Sequence, residues 1–583
     1  MFTGKKHPRL WSRRSAGQTP HGTCFGRGAT RGRSTDHWRI ASAFLTVAVS
    51  VCVTARAQTF HFVEVQSARG IGNYYMSNGF GAGVAAADFD SDGDIDMFVP
   101  NAAGIPDQLY RNLGDGHYEN IAAAAGLDSL AANRCALWFD YDGDHDLDLV
   151  VANDLADAPT LRLYRQTTEA VFEDVTDESG LFAPLSPVNS GEHRGGLCAG
   201  DLTHNGYLDL FVPKWRGESH LFFNNGDGTF SDVSESSGIR EGMFWDHQCM
   251  MYDFDQDGWL DVYVAEDFGP NHLWINQHDG TFVDMAPAAG ADNSMNDMGL
   301  TLGDYDRDGD FDIYMTNICG VDDPDLLGYN VLLRNDSTPG QLQFVDVSPS
   351  LGVGCAGWGW GTTFMDGDGD GWIDIAATNG FLISDRVPVD ASKFYLNLGG
   401  DPTTFVEESA DVLFNDTYWG SALIAFDSDR DGDLDLVQVC ADGPLRLLEN
   451  RQEKGSGGNY LVVKPRMPGP NHFAIGAVVR ITVNGQQMMR LITAGTSYLG
   501  QEPAEAFFGL GTSNFVERLE INWPDGTVSV LWSIDSNQVL TVDQATAGIV
   551  PTIGEWGAIA MAIVLLVAGT RVIRRRVEFQ ARV

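Results

Sequence analysis

Along most of the chain, short apolar runs alternate with bursts of aspartate, always in the same order. Gly81 to Ala87 is small and apolar, Asp88 to Asp96 is a polar burst, and Ile95 to Asn101 is apolar again. Apolar stretches of this length bounded by turn residues predict β-strands. Gln108 to Asn112 supplies a third strand, Gly114-Asp115-Gly116 a tight turn, and His117 to Ile121 a fourth. Four short antiparallel strands make one propeller blade.

The polar burst reads D-x-D-x-D-G-x-x-D and recurs. Measured between first aspartates, the steps are 52, 61, 52, 51, 62 and 61 residues, which is the signature of a repeat architecture. Carboxylates at alternate positions can converge on one hard cation that takes about six to eight oxygens, and the glycine permits the sharp turn. An EF-hand loop would run into a helix, whereas strand-like residues flank these loops, so the context is a β-hairpin. The candidate calcium ligands are Asp88, Asp90, Asp92 and Asp96; Asp140, Asp142, Asp144 and Asp148, with His145 in the glycine position; Asp253, Asp255, Asp257 and Asp261; Asp304, Asp306, Asp308 and Asp312; Asp366, Asp368, Asp370 and Asp374; and Asp427, Asp429, Asp431 and Asp435. The third loop keeps only its outer carboxylates, Asp201 and Asp209, with Thr203 and Asn205 between, so Asn205 completes a poorer set. Up to seven Ca²⁺ ions are expected, because the alternative of bare acidic turns leaves clustered carboxylates repelling one another.

The third and fourth strands recur as Leu221-Phe222-Phe223-Asn224 with Gly226-Asp227-Gly228-Thr229-Phe230, and as Leu273-Trp274-Ile275-Asn276 with Asp279-Gly280-Thr281-Phe282. Six units are whole. The seventh ends at the strand Pro444 to Asn450, and the missing fourth strand is expected at Phe60 to Val65, closing blade seven and pairing both open edges. The fold expected for 58–453 is therefore an all-β, seven-bladed β-propeller. After a linker at 454–458, six strands between 459 and 544, punctuated by Asn484-Gly485 and Pro524-Asp525-Gly526, predict a small β-sandwich.

Composition narrows the function. The 583 residues carry a formal charge of −43, and setting aside the basic ends and Glu555 leaves 22 basic against 77 acidic residues. Nucleic acid is excluded as a partner by like charge. Residues 1–57 read as a leader and signal peptide: a basic stretch, the apolar run Ile40 to Val53, then Ala55-Arg56-Ala57 before Gln58. Arg13-Arg14 lies too far from the apolar run for a twin-arginine signal. Beyond the leader six cysteines remain, Cys135, Cys198, Cys249, Cys319, Cys355 and Cys440; export permits disulfides among them, spacing selects none of the fifteen pairings, and buried thiols are the alternative. Near the C-terminus, Trp556, the apolar run Ala558 to Gly569 and the arginines Arg571, Arg574, Arg575 and Arg576 form a short transmembrane-like segment within 550–576.

The Asp loops with Phe-Gly-rich strands resemble the FG-GAP or VCBS repeats of integrin-type propellers over 60–450, which implies Ca²⁺ bound between the first two strands of each blade. Ala474-Ile475-Gly476-Ala477, the string Gly495 to Gln501, Phe508-Gly509-Leu510-Gly511 and Trp523-Pro524-Asp525-Gly526 resemble the ASPIC/UnbV domain that follows such propellers in cartilage acidic protein homologues. Where members often carry His before Phe-Gly-Leu-Gly, this chain has Phe507. The motif Val550 to Gly557 with its apolar run resembles an IPTL-CTERM sorting tail, which implies recognition by sorting machinery at a Gram-negative cell surface; a permanent membrane anchor is the alternative.

No H-E-x-x-H, G-x-S-x-G, S-x-x-K or phosphate-cradling loop is present. One constellation follows from blade geometry. Inner strands begin on the face opposite the loops, six to eight residues before each first aspartate, and place Arg134, His193, Arg194, Trp245, Asp246, His247, Asp297, Trp358, Trp360 and Trp419 there. These predict a funnel of charge and aromatic surface where a ligand docks; the alternative has the tryptophans filling gaps between blades. The leading expectation is an exported, cell-surface calcium-binding module that adheres to an extracellular protein or polysaccharide. The second is an extracellular calcium-dependent carbohydrate-active enzyme, a lyase or glycosidase, with its site at the channel mouth.

Overall fold

The Val, Leu and Ala runs pair as hairpins because each Asp loop turns the chain back on itself. In the computed structural model of the chain, the described residues are 60–72, 81–154, 161–181, 193–239, 244–319, 328–354, 357–381, 390–441, 443–452, 458–547 and 549–550. The leader at 1–57, the tail beyond Val550 and all of the linker but Gly458 lie outside them. Among the described residues no helix is long and apolar enough to cross a membrane.

Seven antiparallel four-stranded units follow one another: five are separate four-stranded sheets, the first gains Gly500–Gln501 as a fifth, parallel strand, and the fourth is part of a seven-stranded sheet. Their inner strands are Val84–Ala87, Asn133–Phe139, Cys198–Gly200, Phe244–Tyr252, Leu300–Gly303, Gly359–Met365 and Gly420–Phe426. These strands neighbour one another in order, and the seventh returns to the first; between the second and third, Cys135 donates through Sγ to the Gly195 carbonyl. In the seventh sheet the outer strand is Phe60–Glu64, antiparallel to Leu445–Gln452 with Phe60 opposite Gln452. First and last strands of the ring therefore share one sheet, which leaves neither edge open. Cys198 and Cys249 form a disulfide between the inner strands of sheets three and four, and Cys319 is also disulfide-bonded.

Four one-turn helices, Ala122–Ala125, Thr176–Ser179, Ala286–Ala289 and Ser348–Leu351, follow outer strands and end on left-handed Gly126, Gly180, Gly290 and Gly352. The hairpin Phe244–Tyr252 with Asp261–Pro270 also runs beyond its sheet to pair with Lys214–Gly217 and Ser294–Asn296.

Residues after 458 build two sheets. Tyr460–Arg466 lies between Ala506–Gly509 and Gln538–Asp543, and the strands Gln486–Leu491, Val478–Val483, Phe515–Asn522, Val528–Asp535 and Ile549–Val550 make a five-stranded sheet in that order. Val463, Ile481, Phe508, Leu519 and Val542 are buried in a core that continues without a break into Leu137, Leu197 and Trp360 of the ring.

Candidate metal loops and a filled channel

Each Asp loop is organised by its last aspartate. Asp96 accepts from the Phe89 N–H at 3.3 Å and from the Asn112 N–H at 2.7 Å, and Asp261 accepts from Phe254 and Asn276, both at 2.9 Å. The remaining five make the same pair of bonds, with Gln166 replacing asparagine in sheet two. The asparagine side chain then reaches the preceding sheet. Asn224 donates to the Tyr141 carbonyl, Asn276 to Leu202, Asn397 to Tyr305 and Asn450 to Gly367, each at 2.8 or 2.9 Å. Gln166 donates to Phe89, and Asn112 to Ser428, which ties sheet one to sheet seven.

The early carboxylates converge. In loops one, two, four, five and six, three aspartates each offer an oxygen within 4.8 Å of the others: Asp88, Asp90 and Asp96; Asp140, Asp142 and Asp148; Asp253, Asp255 and Asp261; Asp304, Asp306 and Asp308; Asp366, Asp368 and Asp370. The third-position oxygen is the telling atom. Oδ1 of Asp90, Asp142, Asp255, Asp306 and Asp429 is buried without a hydrogen-bond partner, as is Oδ1 of Asp304 and Asp366. Burial first, then neighbouring carboxylates, pushes Asp304 and Asp366 up to about 7 and Asp90 and Asp306 up to about 6. Orphaned, mutually repelling oxygens of this kind fit a hard divalent cation, and the residues present could hold one. In loop three, Asp201 is spent on the Asn205 and Gly206 N–H groups, and Asn205 donates to the Asn224 carbonyl.

The channel inside the ring is occupied by residues 494–502 of the C-terminal domain, which enter from the side of the Asp loops. All seven inner strands bond to them. Gly500–Gln501 runs parallel to Val84–Ala87 of sheet one. The Gln501 side chain exchanges two hydrogen bonds with Trp138 of sheet two, at 2.7 and 2.9 Å. Ala199 of sheet three donates to the Ala494 carbonyl, Leu499 donates to Gln248 Oε1 of sheet four, and Ser497 exchanges two bonds of 2.8 Å with Leu300 of sheet five. Ser497 Oγ accepts from Thr362 and Leu423, and Glu502 Oε1 from Thr363 and Ala425, which covers sheets six and seven. Gly83 and Gly495 permit the approach: a Cβ on either would sit 1.9 Å from the Leu499 carbonyl oxygen or 2.2 Å from that of Leu197. Ser497 and Leu499 both take positive φ, 64° and 60°, which persists in non-glycine residues where the surroundings fix it.

Tyr498 of the insertion is wholly buried and gathers several of the residues expected at the funnel. Arg134 Nη2 donates to its hydroxyl at 2.6 Å, and its ring packs edge-on to His247 and Trp360 at 5.4 and 5.1 Å. Asp154 gathers Arg134 at 3.5 Å, His193 at 3.0 Å and the Arg194 N–H at 2.9 Å. Asp267 accepts from Trp215 at 2.9 Å and lies 3.6 Å from His247. Trp419 packs on Trp360, and Trp358 stacks on Phe381 at 4.5 Å. Three other residues turn elsewhere: Asp246 accepts from Ser219, Asp297 is held by Asn271 and Asn317, and Trp245 packs on exposed Phe268. Arg134, Arg194, His247 and Trp360 are buried, so among the described residues these positions form a packed network where an open funnel was expected. Asp154, Asp267 and Tyr498 had no signal in the loop spacing, since they lie outside the repeat positions.

Comparison with known proteins agrees with this construction. Residues 88–151, 140–212 and 253–315 match the FG-GAP-like repeat, and 467–549 match the family described as ASPIC and UnbV. Human cartilage acidic protein 1 is 24% identical over 468 residues, 76% of this chain and 60% of that protein. Its mouse counterpart is 23% identical over 484 residues, 79% of this chain and 64% of that protein. The chain thus spans less than two thirds of these relatives' own length. Among solved structures, an Agrocybe aegerita lectin that recognises non-reducing terminal N-acetylglucosamine aligns with 64% of the chain and 94% of its own at 16% identity and a TM-score of 0.35. The BP39L lectin of Burkholderia pseudomallei aligns with 63% of the chain and 99% of its own at 13% identity and a TM-score of 0.37. In repeats, domain content and sequence the chain is similar to cartilage acidic protein 1: three stretches of its β-propeller match the FG-GAP-like repeat, and the domain that follows matches ASPIC and UnbV.

Proposed function

We propose that the chain is an exported, cell-surface binding module for a protein or carbohydrate ligand, with its propeller stiffened by calcium. The observation that carries the calcium is the repeated orphan: the same third-position oxygen is buried and unpartnered in five loops. All-oxygen donor sets in flexible hairpins suit Ca²⁺ better than a smaller or softer ion. Binding is favoured over turnover because the channel, the natural place for a reaction centre, is filled by 494–502. The test is thermal unfolding of the full chain with Ca²⁺ and with EDTA. The midpoint falls by several degrees on chelation; an unchanged midpoint refutes the metal.

Export and surface retention rest on the leader at 1–57 and the tail at 550–576. Cell fractionation of the tagged chain in a Gram-negative host checks both. The second reading, a calcium-dependent lyase or glycosidase, is favoured by one arrangement, the meeting of Arg134, Asp154 and His193. It requires that H193A abolish polysaccharide cleavage by the purified protein, and it falls if the wild-type chain cleaves nothing.

A further inference from the structure

A crevice of about 480 Å³ opens between the Asp loops of sheets three to five and the C-terminal domain. Its size lies within the ~300–1,000 Å³ of small-molecule sites, which favour domain boundaries. It is separate from the channel and from the network at Tyr498.

One wall is a face of the C-terminal sheet. Val478 is opposite Asn522 in the register, and Arg480 is two residues along the same strand, so Arg480 and Asn522 present to the same side. Arg480 is half-buried and, among the described residues, makes no hydrogen bond or ion pair; Asn522 Oδ1 is buried and unpartnered. Tyr252, the last residue of an inner strand, also lines the crevice and makes no hydrogen bond through its hydroxyl among the described residues. Across from them lies Asp310, in the loop position whose side chain is not a candidate cation ligand. Gln256 donates to it at 3.0 Å and so joins the loops of sheets four and five.

These groups define what fits. Asp201, Asp253, Asp257 and Asp310 line the crevice against the single guanidinium of Arg480, so it repels an anion. The first three are candidate cation ligands, and once Ca²⁺ neutralises them Arg480 and Asp310 are left facing each other, which favours a neutral ligand, while an amide oxygen and a phenol need a partner that donates and accepts. Sugar hydroxyls do both. We propose that this crevice binds a neutral, hydroxyl-rich carbohydrate of one or two rings, with Arg480 and Tyr252 donating and Asn522 and Asp310 accepting. The proposal rests on the binding-module reading and gives that module a location and a ligand class.

The test is calorimetric titration of the full, calcium-loaded chain with methyl α-mannoside, cellobiose and N-acetyllactosamine, against glucuronic acid and glucosamine as charged counterparts. At least one neutral sugar binds more tightly than both charged ones, and R480M and D310N each weaken it about tenfold with an unchanged unfolding midpoint. Neutral-sugar binding that survives both substitutions overturns the crevice and leaves the binding module standing. Binding of no neutral sugar, or preference for a charged one, overturns the ligand class. Only if a screen of extracellular proteins also returns nothing does the broader reading fall with it.

Discussion

An asparagine near the end of the third strand joins one sheet to the next in sheets one, three, four, six and seven. Asn276 donates its backbone N–H to Asp261, its side-chain amide to the Leu202 and Leu260 carbonyls at 2.9 and 3.1 Å, and accepts from the His278 N–H. Truncation strands buried carbonyls on two sheets, at about 1–3 kcal/mol for each group left unmade. N276A is therefore expected to lose about 2–4 kcal/mol in urea unfolding, and a loss under about 0.5 kcal/mol, typical of a surface change, would contradict the role. His272 gives the pH dependence at this scale. Burial opposes its charge, but Asp284 at 2.8 Å and Glu266 at 3.1 Å outweigh burial and raise it to about 10. Because the folded value exceeds the unfolded one near 6.5, its stabilisation is complete below about pH 6.5 and disappears as pH rises toward 10. The wild type should lose its margin over H272Q across that window, as followed by denaturant midpoints.

At the scale of elements, the sheets were legible because nearly every pairing within one is a local hairpin, the strand at Phe60 and the channel segment excepted, and the spacing of Asp88, Asp140, Asp201 and their successors marks the first turn of each. The strand at Phe60 was recognisable for a different reason: its Phe-x-x pattern matched outer strands such as Phe230–Asp232, and one unit lacked that strand. The one-turn helices were not legible, since four residues carry no periodicity. Nor was the channel insertion. Residues 494–502 bond to strands as remote as Val84–Ala87, and nothing in a stretch between two sandwich strands encodes contacts at that separation. Its weight can be measured. Y498A removes a fully buried ring and should cost about 3–5 kcal/mol, and S497A unpairs the Thr362 and Leu423 N–H groups at about 1–3 kcal/mol each. If both variants unfold at the wild-type midpoint, the insertion contributes nothing.

For the whole molecule, propeller and C-terminal domain pack as one compact body with a shared core. Lys464 lies 3.2 Å from Asp88, Arg430 bonds Glu505 at 2.8 Å, and the Gly509 N–H donates to Asp366 at 3.1 Å, so the domain sits on the candidate metal loops as well as inside the ring. A chain ended after Gln452 leaves inner-strand groups of all seven sheets without partners and an apolar core open to water. It should be aggregation-prone or molten, whereas independent modules would give a soluble propeller with a sharp transition. The full chain should unfold in one transition in calorimetry, and two resolved peaks would contradict this. The network at Arg134, Asp154 and Tyr498 was only half visible beforehand: the propeller positions could be counted from the loops, but Tyr498 belongs to the other domain.

The shared sheet of Phe60–Glu64 and Leu445–Gln452 imposes an order of events on biosynthesis. The earliest strand must wait, unmated, until nearly the whole propeller has emerged, and the axle that fills it arrives later still. Until then the nascent protein is a horseshoe with two sticky ends and a hollow centre, so slow release from the ribosome prolongs its most vulnerable form.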